Sequence, residues 1–235
     1  MRAGDDLAGL LAAAAPTDLA NDDVLVIAHK VVSKAEGRTR RLDDIEPGTR
    51  AEALADEHGT DPRVVEAALA ESAEVLRASR GILICETHSG FVCANAGVDR
   101  SNVPAGELLL LPADPDGSAR SLRASLGKAA GVRPAVVIAD SFGRAWRIGQ
   151  TDVALGIAGL VPLDQWVGRP DSSGRELQVT AIAVADAVAG AADLARAKNS
   201  REPAVLVRGL ARFVTEADGP GAGALRRAVE QDLFR

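Results

Sequence analysis

Apolar, β-like runs that stop at an aspartate constrain this chain more than any other feature. Val24 to Val32 is a continuous apolar run broken only by His29 and Lys30, and Pro134 to Asp140 is a second. Runs of this kind read as buried strands. The second leads into Ala139-Asp140-Ser141-Phe142-Gly143-Arg144-Ala145-Trp146-Arg147. A third β-like stretch opens Cys93-Ala94-Asn95-Ala96-Gly97-Val98-Asp99-Arg100-Ser101-Asn102. Both segments set an Asp near a hydroxyl and a Gly, where a strand is expected to give way to a loop. Carboxylate oxygens suit hard cations such as magnesium or manganese, which bridge nucleotide phosphates. A cation there neutralises the charge that develops in phosphoryl transfer. Asp99 and Asp140 are therefore candidate metal ligands, against the simpler reading that each ends a strand at a turn.

The neighbours extend the pattern. Ser141 can add an oxygen to the cation, and Asn102 can hydrogen-bond a base, ribose or phosphate. Arg144 and Arg147 carry forked donors for anionic oxygens. His29-Lys30-Val31-Val32-Ser33-Lys34-Ala35-Glu36-Gly37 is no Walker A loop, because the spaced glycines and the Gly-Lys-Ser/Thr pair are missing. Lys30 and Lys34, four apart, share one face of a strand and suit phosphate, or else line a solvated edge. The loop Gly168 to Glu176 either closes over a substrate or merely connects. Trp146 and Trp166 read as core or interface anchors, His58 as inert and His88 as a turn residue. No nucleophile–base pair supports a covalent hydrolase.

The chain's 235 residues fit one large domain or two small ones. Helices are expected at 4–14, 47–57, 62–79, 118–130 with Ser118 as its cap, 179–198 and 223–233. Strands are expected at 81–85 and 91–95 about a turn at Thr87–Gly90, then at 107–111 and 203–208. Strands and helices mix without strict βαβ alternation, so the expected class is α+β, or mixed α/β, of unusual order. A net charge of −6 argues against a general nucleic-acid binder. No apolar run is long enough to span a membrane, and acidic Asp5 and Asp6 stand where a signal peptide needs positive charge. The cytoplasm is the default location. Cys85 and Cys93 flank the turn and face each other across a hairpin if it forms, most simply as two small buried hydrophobes.

Taken together, the run Asp23 to Arg38, the Cys93–Asn102 segment and Asp140-Ser141-Phe142-Gly143-Arg144-Ala145-Trp146-Arg147 resemble the coenzyme F-420-0:L-glutamate ligase family. Gly159 to Trp166 and Arg175 to Thr180 fit the same pattern, and the resemblance spans roughly Gly4 to Leu210. It implies an amide ligase that joins L-glutamate to the deazaflavin precursor coenzyme F-420-0 with GTP, through an acyl phosphate, and then adds γ-linked glutamates. It implies two divalent cations, Mg or Mn, a helping monovalent cation such as K, and an intertwined homodimer with the site near the subunit interface. By the same resemblance, Asp99 and Asp140 are metal ligands and Ser141 stands where many members have Thr. Asn102, His29, Lys30 and Lys34 match nucleotide positions, and Arg144 lies within the Asp140 motif as a catalytic candidate.

Several positions depart from the family pattern. Lys198 falls in the nucleotide region where many members carry a metal-binding Gln. Ala145 replaces a usual Pro, and His88-Ser89 replaces Arg-His. The family's short N-terminal segment is not found before Met1, and no C-terminal nitroreductase-like domain is expected. Two alternatives accompany the ligase reading: an amide ligase of the same fold with another acid and amino acid, and a nucleotide-binding paralogue without turnover.

Overall fold

The structure, a computed structural model, describes residues 1–197 and 199–233. Lys198, one of the nucleotide-contact candidates, lies outside the described residues. The chain opens with α1 (Leu7–Ala14), β1 (Val24–Ala28), α2 (His29–Ala35) and β2 (Thr39–Arg41). Then come α3 (Thr49–His58), α4 (Pro62–Ala70), β3 (Ser72–Ser79), β4 (Ile82–Thr87) and β5 (Val92–Ala94). β6 (Glu107–Leu109) and α5 (Pro115–Ala130) lead to a long hairpin, β7 (Ala135–Arg144) and β8 (Arg147–Ala158). β9 (Leu163–Gln165), β10 (Ala181–Ala183), α6 (Val184–Ala195) and β11 (Ala204–Val207) follow, with short 3-10 turns at Ala222–Leu225 and Val229–Gln231. The class is α+β, as expected.

The main sheet has the order β11-β1-β7-β8. β1 runs parallel to β7 and antiparallel to β11, while β7 and β8 form an antiparallel hairpin. Alternate residues leave its strands on opposite faces. Val24, Val26, Ala135, Val137 and Ala139 pack with Val184, Ala185, Val188 and Ala189 of α6. Ile27, Val136 and Ile138 pack on the other face with Leu7 of α1, Val32 of α2 and Leu126 of α5. Covered on both faces, these strands must be apolar throughout, which is the source of the continuous runs in the sequence. A smaller sheet, β3-β4-β5, packs against α3 and α4 through Ala51, Ala55, Val65, Leu83 and Cys85. β2 pairs with β6 beside it.

Several expectations are corrected. The strand begun at Val24 ends at Ala28, whose N–H donates to the Pro203 carbonyl, and residues 29–35 are helical. Beyond Pro203 the antiparallel neighbour has run out, and a chain without a ladder partner satisfies its backbone groups by coiling. Helix α4 stops at Ala70, and residues 72–79 form β3 against β4. Few apolar positions there separate a helical period from a strand, so the partner decides. Asp114, not Ser118, caps α5, accepting from the Gly117 N–H at 2.9 Å with Pro115 in the first turn. Residues 181–183 pair with β9, so α6 covers only 184–195 of the expected long helix. The last helix is replaced by two 3-10 turns; Ala222 is held there by Asp116, whose Oδ1 accepts its N–H at 2.8 Å. The whole of β8 is an addition to the expected strands. No helix among the described residues is long and apolar enough to cross a membrane.

Candidate active site

The parallel pairing of β1 and β7 builds the centre of the site. Ala28 and Ala139 are partners in that ladder. Their successors, His29 and Asp140, therefore emerge side by side at the point where β1 turns into α2 and β7 continues. Asp140 is thus not at a strand end, as the sequence suggested, but in mid-strand where its neighbour departs. His29 Nε2 lies 3.3 Å from Asp140 Oδ1. The side chain is 1% exposed, and Nε2 has no hydrogen bond of acceptable geometry. Nδ1 is 3.3 Å from Ser33 Oγ, one helical turn on. A buried imidazole nitrogen beside a carboxylate and short of a partner is a costly arrangement for a purely structural residue.

Asp99 arrives from the other sheet. After β5 the chain takes left-handed steps at Asn95, Ala96 and Gly97. Gly97 (φ +74°) lies so close to Leu111 that an added Cβ would sit 2.6 Å from its side chain. This turn delivers Asp99 to Leu109, with which it exchanges backbone hydrogen bonds of 2.9 and 2.8 Å. The carboxylate accepts from the Ser101 N–H at 2.7 Å, from the Ser101 hydroxyl at 2.8 Å and from Lys30 Nζ. Burial pushes the Asp99 carboxyl up, but the hydrogen bonds from Lys30 and Ser101 outweigh it and hold the group below the ordinary carboxylate range. Lys30 also donates to Ser101 Oγ, and Lys34 donates to the Asn102 carbonyl.

The two aspartates are therefore tied to consecutive residues of α2: Asp140 to His29 and Asp99 to Lys30. Lys34, one turn later, holds the Asn102 backbone, and Asn102 itself adopts a left-handed conformation (φ 58°). Helical spacing keeps Lys30 and Lys34 on one face, as the strand reading also required. Ser141 donates to Asp152 Oδ1 at 2.6 Å, across the β7–β8 ladder. Arg144 is not gathered in. It lies four residues further along β7, where its guanidinium donates to the Ile148 carbonyl at 2.9 Å. Cys93 sits opposite Cys85 in the β4–β5 ladder; both are buried free thiols. Burial, helped by the charge of Asp140 and by Cys85, pushes the Cys93 thiol up to about 12. The loop Gly168–Glu176 is a closed turn joining β9 to β10, in which Asp171 accepts from the Ser173 and Arg175 N–H groups.

Ser101, Asp152 and Arg196 were not singled out from the sequence. Ser101 was visible as the hydroxyl two residues after Asp99. Asp152 left only the weaker sign of an acid at the lip of the apolar stretch Val153–Ala158.

Among the described residues no group of three or more His, Cys, Asp or Glu is preassembled as a metal cage. Magnesium rarely needs one: it keeps several waters and binds through one or two carboxylates plus substrate phosphates. Asp99, with the Ser101 hydroxyl beside it, and Asp140 each offer carboxylate oxygens of the kind such a cation takes.

Comparison with known proteins identifies the family of the chain. Residues 1–209 match the model of the family described as "F420-0:Gamma-glutamyl ligase". A protein of Methanopyrus kandleri named "Coenzyme F420:L-glutamate ligase" is 46% identical over 237 residues, covering 100% of this chain and 93% of that protein. Proteins of the same name from Methanothermobacter thermautotrophicus and Archaeoglobus fulgidus are 44% and 41% identical, covering 99% and 100% of this chain and 94% and 92% of their own lengths. The chain belongs to the F420-0:gamma-glutamyl ligase family and is a ligase that forms carbon–nitrogen bonds.

Proposed function

We propose that this chain joins L-glutamate to the terminal carboxylate of coenzyme F-420-0, using GTP, and then extends the product with γ-linked glutamates. The observation that carries the reading is the convergence of Asp99 and Asp140 on Lys30 and His29, consecutive residues of α2. The names of the relatives supply the acid and the amino acid.

In this reading Asp99, Asp140 and Ser141 hold divalent cations, Mg or Mn, whose role is to neutralise phosphate charge and polarise the transferred phosphoryl. Lys30 and Lys34 bind phosphate oxygens as point charges, and Asn102 bonds the nucleotide. An oxygen of the precursor carboxylate attacks the γ-phosphorus and GDP departs, leaving an acyl phosphate. The glutamate amine then attacks the acyl carbon, the amide bond forms, and phosphate leaves. An acyl phosphate is already electrophilic, so no strong base is required. Glu36 is engaged by the Ser118 hydroxyl, whereas His29 Nε2 stands 3.3 Å from Asp140 Oδ1.

The test is incubation of the purified chain with precursor, GTP, manganese and L-glutamate. Glutamylated product and GDP are expected, and their absence from folded protein refutes the assignment. Asp99→Ala and Asp140→Ala should each lower turnover by about a hundredfold or more, since the charge that meets the transferring phosphoryl is lost. Their thermal unfolding should remain cooperative. Active variants with unchanged metal dependence would exclude both residues as ligands.

A further inference from the structure

A cleft at the outer edge of β8 adjoins the site, and the reaction above leaves it without a role. β8 ends the order β11-β1-β7-β8, so one side of it has no strand to pair with. The cleft measures about 590 Å3, within the range of small-molecule sites, about 300–1,000 Å3. Val153 lines it and stands directly across the ladder from Asp140. Phe142 lines it too, two residues beyond Asp140 and so on the same face of β7. Phe91, just before β5, and residues 225–229 complete the walls. Asp140 thus lies on the middle strand of three. Lys30 and Lys34 follow β1 on one side of it, and the cleft lies toward β8 on the other.

The cleft carries charge of both signs. Asp186 belongs to the first turn of α6, and its Oδ1 accepts the Ala154 N–H at 2.9 Å. That bond explains one oxygen only. Among the described residues Oδ2 has no hydrogen-bond donor, and no cation pairs with this carboxylate. Asp99, by contrast, has Lys30, and Asp152 has Arg196. Burial pushes the Asp186 carboxyl up, and the Ala154 N–H offsets this only in part. A cation arriving at Oδ2 would favour the charged form. On the opposite wall Arg226 is engaged by the Ser89 carbonyl, whereas the Arg227 guanidinium has no partner among the described residues.

Of the three reactants, only the amino acid brings a positive charge. The acid and the nucleotide are anions, which an open carboxylate repels. We infer that this cleft is the subsite of the amino acid, where Asp186 takes the ammonium of L-glutamate and Arg227 takes one of its carboxylates. The inference rests on the reading in which glutamate is the amine donor and the transferring phosphoryl sits at Asp140. An amine held here approaches the acyl carbon from the β8 side, away from the nucleotide lysines. The cleft is larger than one amino acid and leaves room for the reacting end of the acid.

Steady-state kinetics with precursor, GTP and manganese tests this, using glutarate as an inhibitor against L-glutamate. Glutarate keeps both carboxylates and lacks the amine. Asp186→Asn retains an oxygen for the Ala154 N–H. It should raise the KM for L-glutamate by about tenfold or more, the loss of a charged partner, with the KM for GTP unchanged. Glutarate inhibition should stay as strong as in the parent or become stronger. Arg227→Gln, at an exposed position, should raise the glutamate KM and weaken glutarate together, each by about threefold. Should Asp186→Asn not fold, Asp186→Ser, whose hydroxyl can also accept from Ala154, takes its place with the same expectations. An unchanged glutamate KM in either variant would overturn the contact assigned to that residue, and in both would overturn the subsite while the ligase reading stands. Equal loss of glutamate and glutarate in Asp186→Asn would also overturn the ammonium contact. No product from the folded parent would refute the ligase reading itself, and the subsite with it.

Discussion

Lys30 does two things that oppose each other. Its ammonium sits on the Asp99 carboxylate, where a cation is expected to bind, and it lies on the same helix face as Lys34. In the absence of nucleotide it therefore stands in for metal charge; phosphate oxygens would draw it away and open Asp99. Lys30→Met should tighten Mn2+ binding to the nucleotide-free protein by about fivefold, corresponding to ~1 kcal/mol for a partly exposed pair, while weakening GTP. Calorimetric titration of each ligand separates the two effects, and a variant that weakens both would disprove the competition. The same contact has a pH signature. Asp99 is depressed in the folded chain, so its stabilisation is complete above the unfolded carboxylate value near 4 and is lost as pH falls through the lower folded value. Parent and Asp99→Asn should thus differ in melting temperature at pH 7, with the gap closing below about pH 4. A constant gap across that range would assign the difference to packing instead.

At the scale of elements, the β7–β8 hairpin carries Asp140 and Ser141, and α5 locks it in place. Gly156 of β8 passes so near the first turn of α5 that an added Cβ would sit 2.1 Å from the Pro115 carbonyl oxygen. Backbone, unlike a flexible side chain, cannot yield there. Asp116 reinforces the contact by accepting the Ile157 N–H at 2.9 Å. Gly156→Ala should destabilise the protein by about 1–3 kcal/mol or more, read as a lower denaturant midpoint. The β4–β5 hairpin was visible in the sequence because a Thr-His-Ser-Gly turn divides two short apolar runs, and Cys85 and Cys93 do face each other across it. β3 was not visible, since residues 72–79 have no alternation strong enough to oppose a helix and acquire strand geometry only by pairing with β4.

Over the whole molecule, the tip of the β7–β8 hairpin projects beyond the cores: Trp146 is 80% exposed and Ile148 fully so. Large apolar groups presented in this way suit a protein interface. The homodimer that the resemblance implies has here an exposed apolar surface at which its pairing can be tested. Light scattering should report a dimer, and Ile148→Asp should shift it toward monomer; a parent that stays monomeric at high concentration would refute the pairing. Sequence alone was enough for the α+β class, the buried strands at Val24 and Ala135 and the family, because each is written in residue type and local spacing. Only the tertiary structure decided that His29 opens a helix, that Asp140 sits in mid-strand, and that Asp99 and Asp140 meet on successive residues of α2. The same holds for the tie between Asp152 and Ser141. These follow from the register of a parallel pair and a long hairpin, and a register is a relation between segments distant in the chain, which no local pattern encodes.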